Sequence, residues 1–156
     1  MNEILQTISF GEAAKSVFVE FRIKSDNLDP KAISLELDLT PLRAFYLGEK
    51  YLGKSWDPDS RTIHQVWRER PTGIWAMHTE EFSQKLKKVE QHINYLLDIL
   101  EPRKEIIKSY INRDDYLVSF VIWWEPLDGH GSFEIESKTL LRMAELCNYV
   151  EYTFIS

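Results

Sequence analysis

The sequence predicts an α+β fold in a single domain: a mainly antiparallel sheet of about five or six strands, with a long helix and shorter helices packed on it. Three segments carry that expectation. Residues 17–25, VFVEFRIKS, alternate apolar and polar side chains; residues 116–124, YLVSFVIWW, form the most strand-like run in the chain. Between them Phe82, Leu86, Val89, Ile93, Leu96, Leu97 and Leu100 recur at the three-and-four spacing of an amphipathic helix.

Taken in order, Val17, Val19, Phe21 and Ile23 alternate with Phe18, Glu20, Arg22 and Lys24, as in a strand with one buried face. Residues 26–29 are a polar break. Asp29 is placed to cap a short helix that has Pro30 at its first position and continues through Ala32, Ile33, Leu35 and Leu37. Beyond Pro41, residues 44–47 read as a second strand ended by Gly48. Residues 49–61 hold Gly53, Pro58 and several charges and read as a loop. By contrast, residues 62–68 and 74–78 have the β-branched and aromatic content of strands, with Gly73 at the turn between them.

Thr79 is placed to cap the long helix, with Glu80 and Glu81 in its first turn, where carboxylates favour the helix dipole. Pro102 separates that helix from a second piece, residues 103–112, so the two form a bent pair. Residues 116–124 are apolar enough for the centre of a sheet. A polar turn over 128–131 leads to a short strand holding Phe133 and Ile135. Ser137 then caps a helix through Leu140, Leu141, Ala144 and Leu146, and residues 149–154 return as the last strand. Residues 17–47 share this order of strand, helix and strand, so two such units flank the long helix. Residues 1–16 read as an N-terminal extension and 17–156 as the domain.

At 156 residues, 44% of them apolar, the chain can bury a core without staples. Cys147 is the single cysteine, which excludes an internal disulfide and suits a reducing compartment. The start, MNEILQTISFGEAAK, lacks a signal-peptide pattern, and no uncharged apolar run approaches the ~20 residues of a membrane span. The expectation is a soluble, cytoplasmic protein. The net charge of −6 is uneven: 17 basic and 17 acidic residues lie up to Arg113, against 2 basic and 8 acidic from Asp114 onward. Such an acidic field repels phosphate backbones and favours basic protein partners, so nucleic acid is not the expected ligand.

The series Leu28-Asp29-Pro30, Thr40-Pro41, Gly48-Glu49, Gly73-Ile74-Trp75 and Leu100-Glu101-Pro102, in that order and spacing, resembles a bacterial family called domain of unknown function 4279. The stretch 140–146, LLRMAEL, followed by Tyr149-Val150-Glu151-Tyr152, is similar to that family's last helix and strand, so the resemblance covers residues 17–154. Most matched positions are turn and core types. The resemblance therefore implies a fold rather than a site, and the family supplies no established activity. The segment from Trp56 to Trp67 is longer and more charged than the family pattern, and the residues before Val17 fall outside it.

His64, His78, His92 and His130 lack the paired spacing of metal ligands, and no metal or cofactor is expected. Asp114-Asp115, Glu125, Asp128, Glu134 and Glu136 read as a solvated acidic face ahead of paired catalytic acids. No nucleophile elbow or phosphate-binding loop appears, and Cys147 reads as an inert buried thiol. The binding candidates are Arg43, Trp56, Trp67, Arg68, Arg70 and Trp75, since Trp and Arg are the side chains over-represented at interface hot spots. Of these, Trp75 reads foremost as core and Trp56, in a charged segment, as the exposed anchor. The leading functional expectation is a non-enzymatic protein-binding module, immunity-like, that neutralises a basic effector. The alternative is a small-ligand binder or enzyme with a pocket between the sheet and residues 49–71, lined by Trp56, Trp67 and Arg70. Self-association through an exposed strand or the aromatic stretch is a third reading.

Overall fold

A long central strand organises the computed structural model, which describes residues 14–129 and 131–155. This strand, β1 (Ala14–Ser25), is followed by α1 (Pro30–Leu37) and β2 (Arg43–Phe45). Next come β3 (Lys50–Asp57), β4 (Thr62–Glu69) and β5 (Gly73–His78). The second half holds α2 (Val89–Leu100), α3 (Lys104–Ile111), β6 (Leu117–Pro126), α4 (Ser137–Ala144) and β7 (Tyr149–Phe154). The main sheet has the order β2-β5-β1-β6-β7, while β3 and β4 pair only with each other.

Neighbours in the main sheet are antiparallel except β6 and β7, which are parallel and joined through α4. The two strand-helix-strand units are thus β1-α1-β2, with β5 inserted between its strands, and β6-α4-β7. Residues Phe133 and Ile135 do not form the strand expected of them. Phe133 instead lies between two rings, 5.7 Å from Trp124 and 5.9 Å from Tyr152. β1 is the middle strand of the five, and β6 beside it is also interior, paired with β1 along one edge and β7 along the other.

Alternation along the strands gives the sheet two different faces. Val17, Val19, Phe21 and Ile23 of β1, Trp75 of β5, and Val118, Phe120, Ile122 and Trp124 of β6 share one continuous core. The same core takes Ile33 and Leu37 from α1, Ile93, Leu96, Leu97 and Leu100 from α2, Ile107 from α3 and Met143 from α4. All four α-helices of the described residues therefore cover one face. On the other face Phe45, Ile74 and Ala76 form a separate small cluster.

The long helix is shorter than its periodicity predicts, starting at Val89 instead of near Thr79. The side chain expected to cap the helix is used elsewhere: the Thr79 hydroxyl accepts the Val19 N–H at 3.0 Å and contacts His92 Nδ1 at 2.6 Å. Residues 80–82 make only a turn of 3-10 helix before the chain enters α2. At the other end, α4 lacks a cap from Ser137, which is its first residue. The Glu90 carboxylate of α2 accepts the Glu136 N–H at 3.0 Å and the Thr139 hydroxyl, capping α4 from a neighbouring helix.

Asp29 caps α1 as expected, accepting the N–H groups of Lys31 and Ala32. The strand β1 reaches back to Ala14, three residues before Val17, where its pairing with β6 is shifted at Ser16. No described helix is long and apolar enough to cross a membrane.

Candidate functional site

Residues 49–61, expected as a loop, form instead the first strand of a projecting two-stranded arm. The turn at its tip is built by Asp57, whose carboxylate accepts the Asp59 N–H at 2.9 Å and the Ser60 hydroxyl at 2.8 Å, with Pro58 fixing the intervening residue. The arm continues the β2–β5 ribbon outward. Its base is closed by the Gly48 N–H bonding the Arg70 carbonyl at 2.8 Å and the Arg70 N–H bonding the Glu49 carbonyl at 2.9 Å. Gly48 takes a φ of 75°, a left-handed conformation that glycine adopts without strain.

Register decides which arm side chains share a face. Lys50 pairs with Glu69, Leu52 with Trp67, Lys54 with Gln65 and Trp56 with Ile63, and alternation puts these four rows on the same side. That face leaves Leu52 45%, Trp56 59%, Ile63 64% and Trp67 71% exposed. The opposite face carries Tyr51, Gly53 and Ser55 against Arg68, Val66 and His64. There the Arg68 side chain crosses Gly53 and donates to the Lys54 carbonyl at 3.3 Å. Arg70 wedges the arm to the sheet: its guanidinium lies 4.0 Å from the Phe45 ring centre and 3.7 Å from that of Tyr51.

Arg43 belongs to a different surface, the sheet face that carries no helix. Its guanidinium donates to Glu20 at 2.7 Å, Arg22 stands 3.8 Å from the same carboxylate, and Arg22 also pairs with Glu151. Ala76 sits in register between Arg43 and Arg22, and its small side chain lets both arginines converge on Glu20. Glu20 is only 2% exposed, and burial pushes its carboxyl up from the usual range against the pull of Arg43 and Arg22. Beside this row Phe18 stacks on Trp123 at 5.5 Å and meets His78 edge-on at 6.3 Å. The charges of the row neutralise one another in place, which suits a structural role more than proton transfer.

Of the six expected binding residues, then, Trp56 and Trp67 share the exposed arm face, Arg68 lies on the arm's reverse and Arg70 forms its hinge. Arg43 is on the sheet, and Trp75 is wholly buried in the core, with its Nε1–H given to Ser34 Oγ at 3.0 Å. Trp56 and Trp67 stand on one face of the arm, while Arg70 packs at its base against Phe45 and against Tyr51 of the opposite face. The depression beside Trp67, about 610 Å³, is bounded by Lys50, Arg68 and Glu69. Leu52 and Ile63 complete the arm face but were not among the expected residues. Their signal was present in the two-residue spacing of Leu52, Lys54 and Trp56 before Asp57-Pro58, mirrored by Ile63, Gln65 and Trp67 after it.

Elsewhere an open cleft of about 580 Å³, lined by Asp26, Asn27, Arg113, Asp114, Asp115 and Asn148 among others, lies at the end of β1 nearest the arm. No group of three His, Cys, Asp or Glu gathers to hold a metal ion among the described residues. His130 lies outside them. Burial pushes the Cys147 thiol up to about 11, so almost no thiolate exists near neutral pH.

Residues 15–148 match the family model described as Domain of unknown function (DUF4279). The chain belongs to that family. The DUF4279 match begins inside β1, contains the whole arm and stops just before β7, so it spans the helical layer and four of the five strands of the main sheet. No curated protein and no solved structure matches the chain.

Proposed function

We propose that this chain is a protein-binding module, not an enzyme, and that the β3–β4 arm is its docking element. The observation that carries the reading is the arm face itself. Two large aromatic and two aliphatic side chains, Trp56, Trp67, Leu52 and Ile63, are held in register on one face of a ribbon, between 45% and 71% exposed. A two-stranded hairpin on its own is at best marginally stable in water, so an arm of this length gains from a surface to lie against. Trp side chains standing out of such a surface have the properties of interface anchors.

Charge supports a second feature of the reading. Residues 49–70 carry five basic and four acidic side chains, so the whole acidic excess lies on the body outside the arm. That field attracts basic proteins at long range and speeds their encounter, in keeping with an immunity-like role against a basic effector. The test is affinity capture at low and at physiological salt with two baits, the natural chain and Trp56→Ser/Trp67→Ser. Proteins retained only by the natural bait support docking through the arm, and loss of a basic one on adding salt supports steering by the body. Two baits that retain the same set at each salt concentration overturn the arm's role.

A further inference from the structure

The reading of the arm as a docking element leaves its occupant open, and the register of its exposed face names one. We propose that the occupant is a second copy of this chain, seated face to face on the first with a twofold axis running along the two arms. The inference rests on the docking reading and deepens it.

Each of the four rows on the exposed face joins two unlike side chains: Lys50 with Glu69, Leu52 with Trp67, Lys54 with Gln65, and Trp56 with Ile63. A twofold axis along the arm lays β3 of one copy over β4 of the other at the same level, so every row meets its own reverse. Lys50 then faces Glu69 at both ends of its row, and neither makes an ion pair among the described residues. The Lys54 ammonium faces the Gln65 amide, an acceptor. Each indole meets an aliphatic side chain, Trp67 over Leu52 and Trp56 over Ile63, so bulk opposes smaller bulk. Turning the arms antiparallel with the four rows overlapped would instead set Lys50 against Trp56, Glu69 against Ile63 and Leu52 against Lys54, charges against apolar side chains. The parallel arrangement is therefore the one that matches charge with charge and apolar with apolar.

Size sets the strength expected. Eight residues at ~3.4 Å each give a face about 27 Å long and, with two strands, about 10 Å wide. That footprint of about 270 Å² per partner lies well below the ~800 Å² per partner of a standard interface, and gives a weak, reversible dimer with dissociation in the micromolar range or above. Both bodies lie at the base of the paired arms, and their acidic surfaces, being alike in sign, add a repulsion that salt relieves.

Sedimentation velocity on the full chain, from about 1 to about 500 µM, reads the association directly. The natural chain moves from monomer to twice the monomer mass across this range, more readily at higher salt, and Trp67→Ser weakens association by about thirtyfold or more. The decisive arm uses charge. Lys50→Glu and Glu69→Lys each sediment as monomers, because each sets like charges opposite one another, yet an equimolar mixture of the two forms a mixed dimer, in which both facing pairs are again opposite in sign. Because every subunit of that mixture still carries its own altered arm, recovery cannot come from repair within a chain. Circular dichroism and a cooperative melt establish that each variant is folded. A natural chain that stays monomeric throughout, or a mixture that does not associate, overturns the second copy as occupant. If proteins of another kind are still captured only by the unsubstituted arm, the docking reading stands while the dimer falls; if none are, both fall.

Discussion

With its indole wholly enclosed between the sheet and α1 and its one polar atom bonded to Ser34, Trp75 can neither be trimmed nor rotated without loss. Trp75→Ala leaves a cavity that the rigid sheet cannot close and lowers stability by about 3–5 kcal/mol, read from urea unfolding. His92 illustrates another single-residue constraint. Fully buried, it sets Nε2 2.9 Å from the Leu86 carbonyl and Nδ1 against the Thr79 hydroxyl; because the carbonyl only accepts, Nε2 carries the proton of the neutral ring. Burial holds its pKa below the usual histidine value. The unfolded chain therefore takes up a proton near pH ~6.5 while the folded chain does not, so stability falls as pH drops through that value and on toward the lower folded pKa. The urea midpoint should fall between about pH 7 and about pH 5, and His92→Gln, less stable at the outset, should flatten that dependence. An unchanged slope in the variant would assign the acid sensitivity to other groups.

Among the elements, those written in strong periodicity were legible: β1, α1, β5, β6, α3 and β7 lie within a few residues of where the pattern puts them. The errors are instructive. Apolar spacing continues back through Leu86 and Phe82, but it cannot reveal that Thr79 bonds β1 and His92 from a distance, which is what ends the helix pattern at Val89. The strand β3 was hidden by composition: Gly53, Pro58 and several charges read as a loop, although Leu52, Lys54 and Trp56 keep the two-residue spacing of a strand. For the candidate site, residue type found Trp56 and Trp67, whereas the pairing that aligns them with Leu52 and Ile63 is a fact of register. Gly73 shows why β5 sits so close to β1. A Cβ there would stand 2.7 Å from the Ser25 carbonyl oxygen, a backbone atom that cannot step aside. Gly73→Ala should force the strands apart and lower stability by about 1–3 kcal/mol in the same urea assay.

At the scale of the whole molecule, body and arm are separable, since β3 and β4 pair only with each other and the hydrogen bonds at Gly48, Glu49 and Arg70 close the ribbon before the arm begins. Replacing residues 50–69 by an Asn-Gly turn should leave a cooperative calorimetric transition within a few degrees of the original. Collapse of that transition would show that the arm supports the core. The central position of β1 carries a consequence in time as well as space. Its partners lie far along the chain, with Glu20 meeting His78 and Ala14 meeting Pro126. Loops must close over long separations before the sheet is rewarded, which places folding in the millisecond-to-second range instead of the microseconds of helical bundles. During synthesis Val17, Val19, Phe21 and Ile23 emerge well before β6 exists to pair with their strand. A chain arrested at residue 115 holds an unpaired apolar edge in its middle and should aggregate, where the finished domain stays dispersed.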